Sequence, residues 1–479
     1  MTSNAYPLSG PEALPASRAA SGAQASRRLR RAEAWRLAGV TAVWATGLFV
    51  ADLWIHGGGV QTVLGGGAAA WTSLGRLAGL AASDLLLLQV ILMARVPLFE
   101  RAFGHDTLTR AHRLTGFWAF WLLLAHIALI VIGDAGAATT GPLAEFWAMI
   151  TSFPDMVPAA VGTALLLVVV AASLRFARRR LRYEFWHVLH LGSYAAVLLV
   201  LPHQLSTGAD FLSSPVATAF WWTLWALAAL SVAVFRVLIP LGRSLRHRIT
   251  VRAVIPDGTR GVTVVLDGRG LDRLRTQAGQ FFVWRFLDGP GWSAGHPFSI
   301  SSRPTDTRLT LTARIVGDGT LRLTRLAPGT HVLIEGPYGH LTGERRHGDT
   351  LLLIGAGAGV APLVSLLEGL PYRPGDATLI TRDTEPGQAL LQEPIAALVH
   401  DRGLAHLRLD GHRTHRGSAW LPESCERSDG VDLLAATVPD LHQRDIYVCG
   451  PGPWMDAVRA DLERAGVDPD RVHVESFDL

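Results

Sequence analysis

Apolar residues are concentrated in the first 240 residues of the chain, where they form long runs separated by short connections. The core of a bilayer requires a helix of about 20 predominantly apolar residues. The pattern therefore predicts a bundle of six transmembrane helices, at residues 34–55, 73–94, 110–132, 158–175, 187–203 and 217–239.

From about residue 249 the pattern changes to short β-rich runs separated by Gly and Pro turns. Such spacing predicts a small antiparallel β-barrel, with strands at residues 249–254, 261–266, 280–286, 309–315 and 331–335. Beyond residue 350 strands alternate with helical stretches, at 350–354, 361–370 and 377–381. This alternation is typical of a parallel α/β domain.

The composition agrees with a membrane half followed by a soluble half. The chain has 479 residues and a mean hydropathy of +0.27, too long and too apolar for one ordinary soluble domain. Its net charge is +4 and every basic residue is Arg, a bias typical of a GC-rich genome; we expect no nucleic-acid partner. The two cysteines offer no disulfide framework. We predict a disordered tail at 1–26, the helical bundle at 27–245, the barrel at 246–345 and the α/β domain at 346–479.

Arginines are distributed asymmetrically about the predicted spans. They precede the first span, follow the sixth and occupy the connections after the second and fourth, whereas residues 56–70, 133–157 and 204–216 contain none. Positive residues mark the cytoplasmic side of a membrane protein. We therefore expect a multi-pass protein of the plasma membrane (the inner membrane of a bacterium), with both termini in the cytoplasm.

Two predicted spans carry histidines at membrane depth. His112 and His126 in span three are 14 residues apart, about 21 Å along one face of a helix. Span five carries His190 and His203. Ionisable residues inside a membrane are usually functional, and neutral imidazole is an axial ligand of haem iron. Two levels, each with one histidine from each helix, could hold two haems; a lone membrane histidine can instead pack or form hydrogen bonds.

Helical geometry alone does not select His203. Thirteen residues turn it away from His190 by roughly 140°, and His187, 16 residues from His203, fits no better. Because Pro202 can disturb the preceding turn, we predict an irregular helix there.

A glycine-rich turn lies in residues 353–362, where a predicted strand meets a predicted helix. Glycines let a nucleotide approach the backbone, and a helix N-terminus attracts phosphate, although many α/β turns have this pattern. Arg382 follows the next strand, where a 2′-phosphate would lie; this favours NADPH over NADH. A solvated surface Arg is the alternative, and Arg413 is a second candidate. The candidate residues of the turn are Gly355, Gly357, Gly359 and Pro362.

The segment Tyr183-Glu-Phe-Trp-His-Val-Leu-His190 resembles the fifth helix of the ferric reductase-type transmembrane domain shared by NADPH oxidases and ferric reductases. In that helix the later histidine is a ligand. The resemblance implies that His112 and His190 hold an inner haem b, and that His126 and His203 hold an outer one. His187 fits a supporting or interfacial role better.

Two further residues in the spans are candidates on this resemblance. Arg76, the only Arg near the outer face, could pair with an outer-haem propionate or place positive charge near the acceptor; it could also snorkel to the interface. Trp121 lies between the two histidine levels and could assist electron tunnelling, or simply pack.

The soluble half resembles the ferredoxin–NADP reductase superfamily. The segment His296-Pro-Phe-Ser-Ile-Ser-Ser302 is similar to its flavin signature, in the variant of the oxidases and ferric reductases, and Arg314-Ile-Val-Gly-Asp-Gly-Thr320 is similar to a segment that meets the FAD pyrophosphate. Read alone, the first string could be a turn entering a strand and the second an ordinary β-turn. The implied FAD-binding residues are His296, Pro297, Phe298, Ser299, Ser301, Arg314, Gly317, Thr320 and, near the C-terminus, Phe477.

Two more motifs complete the resemblance in the family's order. Gly336-Pro-Tyr-Gly339 is similar to the loop that closes the flavin barrel, and Tyr447-Val-Cys-Gly-Pro451 is similar to the site beside the nicotinamide. The resemblance implies that Cys449, Gly450 and Pro451 contact NADPH; a buried structural Cys is the alternative.

These features predict an NADPH-dependent oxidoreductase that moves electrons from NADPH through FAD and two haems to an extracytoplasmic acceptor. The first candidate is oxygen, reduced to superoxide; the alternative is ferric iron, another metal or a partner protein. The oxidases carry a further histidine one turn after the second ligand of span three, where this chain has Ile130. A transporter whose histidines relay protons is the non-enzyme alternative, and it leaves the flavin and nucleotide motifs unexplained.

Overall fold

A computed structural model describes residues 16–139, 141–181, 183–414, 417–426 and 428–476. Six helices in this part of the chain are long and apolar enough to cross a bilayer, which confirms the six predicted spans. They are Glu33–His56, Gly67–Met93, Thr107–Ala138, Met156–Ser173, Phe185–Ser206 and Pro215–His247.

The helices of the membrane half are α1 (Ala16–His56), α2 (Gly59–Gly65), α3 (Gly67–Met93), α4 (Pro97–Phe103), α5 (His105–Ala138), α6 (Pro142–Ser152), α7 (Met156–Ser173), α8 (Arg175–Arg178), α9 (Tyr183–Ser206), α10 (Pro215–Val232) and α11 (Ile239–His247). A π-helical turn, Ala233–Leu238, joins the last two.

Helix α1 begins inside the predicted disordered tail, so residues 16–26 are helical instead. The reason is local composition: after Pro15 the chain is rich in Ala and Arg, both strong helix formers. Residues 1–15 of the predicted tail lie outside the described residues.

The membrane helices pack in pairs, α3 along α5 and α7 along α9. Glycines permit the close approach: a Cβ on Gly75 of α3 would lie 2.9 Å from the Ile130 side chain, and one on Gly162 of α7 would lie 2.8 Å from the Ala196 carbonyl oxygen. Because α5 and α9 carry the histidine pairs, α3 and α7 each support one histidine-bearing helix.

The next part of the chain forms two antiparallel three-stranded sheets, ordered β1-β2-β5 and β4-β3-β6, around one apolar core. Five of the six strands were predicted, and among the described residues isolated bridges at Thr250–His331 and Ile300–Leu311, rather than continuous strand pairing, connect the sheets. A closed barrel is therefore not confirmed. The elements are β1 (Thr250–Asp257), β2 (Gly261–Asp267), β3 (Phe281–Phe286), β4 (His296–Ser299), β5 (Arg308–Arg314), α12 (Asp318–Leu323) and β6 (Val332–Tyr338).

The last part is a five-stranded parallel sheet of order β11-β10-β7-β8-β9, as the strand–helix alternation predicted. Its central strands are continuous apolar runs because helices cover both faces. Since β7 and β10 are neighbours, the loops after them meet at one edge. The elements are β7 (Leu351–Ala356), α13 (Val360–Gly369), β8 (Ala377–Asp383), α14 (Gln392–Arg402), β9 (Ala405–Asp410), α15 (Gly430–Thr437), β10 (Asp445–Gly450), α16 (Gly452–Arg464) and β11 (Val472–Ser476).

Candidate cofactor sites

The structure brings His112 of α5 and His190 of α9 face to face across the bundle. Their ring centres are 6.2 Å apart and the ring planes make an angle of 66°. Two imidazoles that bind one metal from opposite sides, with bonds of about 2 Å, have ring centres about 6 Å apart. Nδ1 of His112 is buried without a hydrogen-bond partner among the described residues. The pair therefore fits the two axial positions of one metal.

Nδ1 of His190 is in contact with the Ser173 hydroxyl, at 3.3 Å. The same hydroxyl lies 2.7 Å from the Val169 carbonyl oxygen and accepts from Nε1 of Trp186 at 3.3 Å. A histidine held through Nδ1 in this way can offer Nε2 to a ligand. Ligating histidines are usually held in this way through the nitrogen that does not bind metal.

The same arrangement recurs at the outer level. Nδ1 of His126 donates to the Gly75 carbonyl oxygen at 2.8 Å. The Thr207 hydroxyl lies 2.9 Å from the His203 carbonyl oxygen and 2.6 Å from Nδ1 of that residue, within hydrogen-bond distance of both. Both imidazoles thus keep Nε2 for a ligand, as metal-binding histidines do.

The outer histidines are not in ring contact in the described part of the chain, unlike the inner pair. The predicted irregularity of span five is also absent: α9 is one helix through Pro202. A proline near a helix end removes few hydrogen bonds, and here only four residues of α9 follow it. The rotation between His190 and His203 predicted for a regular helix therefore persists.

Arg76 and Trp121 have partners within the bundle. Arg76 of α3 donates to both carboxylate oxygens of Asp210, at 2.9 and 2.5 Å. The Trp121 side chain is 52% exposed and makes edge contacts with Phe117 and Phe120. Neither contact assigns a redox role, so both roles stay predictions.

The flavin signature forms β4, an element that the sequence pattern did not predict. The His296 and Phe298 rings are stacked, with centres 6.0 Å apart and planes within 12°. Trp284 donates from Nε1 to the Phe298 carbonyl oxygen at 2.9 Å, fixing the strand against the core. Pro297 lies between the two rings in sequence, and Ser299 at the end of β4 is buried. The structure thus presents two aromatic faces side by side.

The second flavin segment makes a tight turn into α12. The Thr320 hydroxyl accepts from the backbone amides of Val316 and Gly317, at 2.9 and 3.2 Å. Ser301 is buried and accepts from the Thr312 hydroxyl at 2.9 Å. Both hydroxyls stabilise the loops around β4 and β5, where the sequence places FAD.

Arg314 joins the flavin part to the nucleotide part. Its guanidinium contacts the Asp383 carboxylate and donates to the Gln388 carbonyl oxygen at 2.9 Å. A Cβ on Gly357 would lie 3.4 Å from that guanidinium. The predicted phosphate-binding Arg is therefore also an ion-pair partner at the end of β8.

The glycine turn and the Cys-Gly-Pro segment are in direct contact. Gly357 has a φ of +55°, which favours glycine, and a Cβ on Gly359 would lie 2.1 Å from the Cys449 carbonyl oxygen. Gly355 lies near the end of β7, and Pro362 is buried in the first turn of α13. Gly450 and Pro451 lead into α16. The structure therefore assembles these residues at one edge of the sheet, where Arg382 near the end of β8 pairs with Ala356 of β7.

Arg382 is buried, with only 7% of its surface exposed, so the alternative of a solvated surface Arg is wrong. Its side chain donates to the Asp383 carbonyl oxygen. Every residue of β8 is buried, because the strand lies inside the sheet and both faces of the sheet are covered. The acidic Asp383 occupies the end of the second strand, where a carboxylate binds a ribose in NAD-binding folds. Phe477 lies outside the described residues.

We expect only Cys425 to react with a small maleimide in the native protein. Cys425 is partly exposed, whereas the buried Cys449 thiol donates to the Glu475 carbonyl oxygen at 3.3 Å. Burial raises the pKa of Cys449 well above its usual range, so little of the reactive thiolate forms. Mass spectrometry should find one adduct in native protein and two after denaturation. Rapid native labelling of Cys449 would contradict this assignment.

The flavin part contacts the end of the last membrane helix through an ion-pair cluster. Glu335 of β6, whose side chain is 7% exposed, accepts from Arg236 at 3.0 Å and from Arg285 at 2.7 Å. His187 lies within electrostatic reach of this triad. Next to it, the Arg95 guanidinium lies 4.4 Å from the centre of the Tyr338 ring, in the predicted closing loop.

Sequence reasoning missed the groups that orient the histidines. Thr207 is four residues after His203, a spacing that could have identified it. Ser173 and Gly75 belong to other helices, and only the packing of α7 and α3 brings them to their histidines.

Two kinds of known protein are similar to parts of this chain. Residues 78–201 match the family model described as the ferric reductase like transmembrane component. The chain is 28% identical over 236 residues to the ferredoxin reductase component of 3-ketosteroid-9-alpha-monooxygenase from Rhodococcus rhodochrous, covering 48% of this chain and 64% of that protein. It is 31% identical over 207 residues to the ferredoxin–NAD(+) reductase component of the alkene monooxygenase system of Xanthobacter autotrophicus, covering 42% and 61%.

The chain thus spans less than two thirds of the length of these curated relatives. A solved FAD/NAD-binding domain of nitric oxide dioxygenase from Vibrio cholerae is 20% identical over 48% of this chain and 99% of that one, but its TM-score of 0.40 is too low to support an assignment. The chain is therefore similar over residues 78–201 to ferric reductase-like transmembrane components, and over a further part to reductase components of the ferredoxin reductase type.

Proposed function

We propose that this protein carries electrons from cytosolic NADPH, through FAD and two bis-histidine haems, to an acceptor outside the membrane, with oxygen as the first candidate. The observation that carries the proposal is the opposed pair His112–His190, 6.2 Å apart, within the segment similar to ferric reductases. In the same chain a reductase part docks on the membrane helices through Glu335. A proton-relay transporter would need neither feature.

Four histidines would hold the haems, His112 and His190 on the cytosolic side and His126 and His203 on the outer side. When bound, NADPH supplies a hydride, FAD divides it into single electrons, and the haems carry electrons singly. The chain's own residues orient the ligands: Ser173, Gly75 and Thr207 hold Nδ1 of His190, His126 and His203, respectively.

Residues of the soluble half would hold the flavin and the nucleotide next to each other. Phe298 and His296 of β4 present the aromatic faces for the flavin, and the turn at Gly317 and Thr320 would meet its phosphates. The glycine turn and Cys449 would take the nicotinamide nucleotide, with Arg382 as the candidate for its 2′-phosphate. A comparison of kcat/KM for NADPH and NADH tests that preference.

The limits 27–245, 246–345 and 346–479 are our proposed domains for these three tasks. The arginine-bearing connections would face the cytoplasm and the loops around Arg76 and Asp210 the outside, in the plasma membrane. Limited proteolysis of sealed vesicles of known orientation tests this arrangement.

A reductase of ferric iron or of another external oxidant is the second candidate. Ile130, which stands where the oxidases carry a further histidine, packs on Gly75 of α3, so it offers no polar group for binding oxygen. The outer histidine pair would serve either acceptor equally.

The purified protein should show the absorbance of two low-spin haems, and NADPH should reduce them under anaerobic conditions. Reoxidation by oxygen with release of superoxide favours the oxidase; reoxidation only by a ferric chelate favours the reductase. A protein without haem absorbance, after expression with added haem precursor, would overturn the proposal.

A further inference from the structure

Three potential metal ligands meet at the end of the parallel sheet opposite the nucleotide turn. Asp445 begins β10, His473 lies on the neighbouring β11, and His347 precedes β7. Nucleotides bind at the carboxyl ends of parallel strands, whereas these residues lie at the amino ends. The cluster is thus separate from the cofactor sites described above.

The distances suit a tetrahedral metal better than hydrogen bonds. Nδ1 of His347 and Nε2 of His473 each lie 3.3 Å from Oδ1 of Asp445, and the three ligand atoms lie within 4.8 Å of one another. Ligands about 2 Å from a tetrahedral zinc ion are separated by about 3.3 Å. Charge-assisted hydrogen bonds are shorter, about 2.7–2.9 Å.

The carboxylate at the centre of the cluster is buried. Asp445 is completely buried and accepts from the backbone amides of His347 and Gly348, at 2.9 and 2.7 Å. A buried carboxylate needs polar or cationic partners, and its ion-pair partners among the described residues are the two imidazoles.

Access to the cluster is one-sided. The His473 side chain is 8% exposed and lies beside the Tyr447 ring, at 4.7 Å, whereas the His347 side chain is 43% exposed. An ion could therefore enter past His347, and water could complete its coordination on that side. Two imidazoles, one carboxylate and one open position form a common zinc donor set.

We propose that His347, Asp445 and His473 form a zinc site with water as the fourth ligand. The ion would connect β11, β10 and the loop before β7, and so fasten the edge strand to the sheet. No electron passes through it, since Zn²⁺ has no accessible redox change, so the ion would stand outside the electron path.

The test uses the full-length, haem-loaded protein in detergent, stripped with a chelator and titrated with Zn²⁺ by calorimetry. We expect one zinc per chain, and a rise in thermal midpoint on zinc addition. H347Q should weaken binding by about tenfold or more and abolish the thermal shift. Because the His347 side chain is partly exposed, this variant should keep its fold and its NADPH-dependent haem reduction.

H400Q is the matched control. His400 contacts Asp401 at 2.7 Å in an exposed pair with no third ligand, so its loss should leave zinc binding unchanged. H473N should reproduce the defect of H347Q. Equal zinc affinity in wild type and H347Q, or no binding above that of a haem-loaded membrane protein lacking the cluster, would overturn the proposal. Both outcomes are independent of the electron path, because zinc binding is measured without turnover.

Discussion

The His126→Ala protein should contain one haem per flavin, where we expect two in the wild type, and should no longer deliver electrons to an external acceptor. His126 donates through Nδ1 to the Gly75 carbonyl oxygen, so its Nε2 is directed to the outer site. Without one of two axial ligands the outer haem should not be retained. The haem-to-flavin ratio, and reduction of membrane-impermeant ferricyanide outside sealed vesicles, measure the two effects.

Two companion variants make this result specific. His203→Ala should lose the same haem, because both histidines belong to one level. His187→Ala removes a histidine of the same helix that we do not assign as a ligand, and it should keep both haems. In His126→Ala, NADPH should still reduce the inner haem. Retention of both haems together with external reduction would show that His126 is not a ligand.

The Glu335→Gln protein should keep its flavin chemistry but reduce its haems more slowly. Glu335 accepts from Arg236 of the membrane half and from Arg285 of β3, and its side chain is 7% exposed. Removing one partner of such a buried pair costs roughly 2 kcal/mol or more. A misplacement of 1 Å can lower a rate by a large factor, so we expect haem reduction to slow by about tenfold or more.

The measurement separates docking from flavin function. Stopped-flow absorbance should show slower haem reduction by NADPH, while reduction of a soluble dye at the flavin stays at the wild-type rate. Asp267→Asn is the control, because Asp267 makes exposed ion pairs with Arg252 and Arg308 on the other sheet. Wild-type haem reduction in Glu335→Gln would show that this triad does not set the docking.

The membrane architecture could be predicted because the cost of exposing polar backbone to lipid imposes long apolar runs, and the six spans confirm this. The spacing of the histidines on α5 could be predicted, because 14 residues return to one face of a helix. The spacing on α9 could not, because 13 residues turn His203 away from the face that carries His190. Strand β4 was missed since it has four residues, including a His and a Pro, and no alternation.

Contacts made by elements remote in sequence could not be predicted from the sequence either. Arg382 was a candidate for the 2′-phosphate with a solvated surface Arg as the alternative, and the sequence did not reveal that the side chain is buried. The hydrogen-bond partners of His126 and His190, which are Gly75 and Ser173, are remote in sequence. The His347–Asp445–His473 cluster likewise exists only because β10 and β11 are adjacent.

The last membrane helix has a mechanical consequence. At 33 residues, Pro215–His247 is about 50 Å long, whereas the hydrocarbon core is about 30 Å thick. Its end is clamped in the flavin part, where Ser244 accepts from the Ile334 amide at 2.9 Å and His247 donates to the Arg269 carbonyl oxygen at 2.8 Å. The helix therefore holds the flavin part at a fixed position relative to the membrane. A flavin held in this way cannot move between partners as a tethered carrier does, so we expect the rate of electron transfer to be insensitive to solvent viscosity.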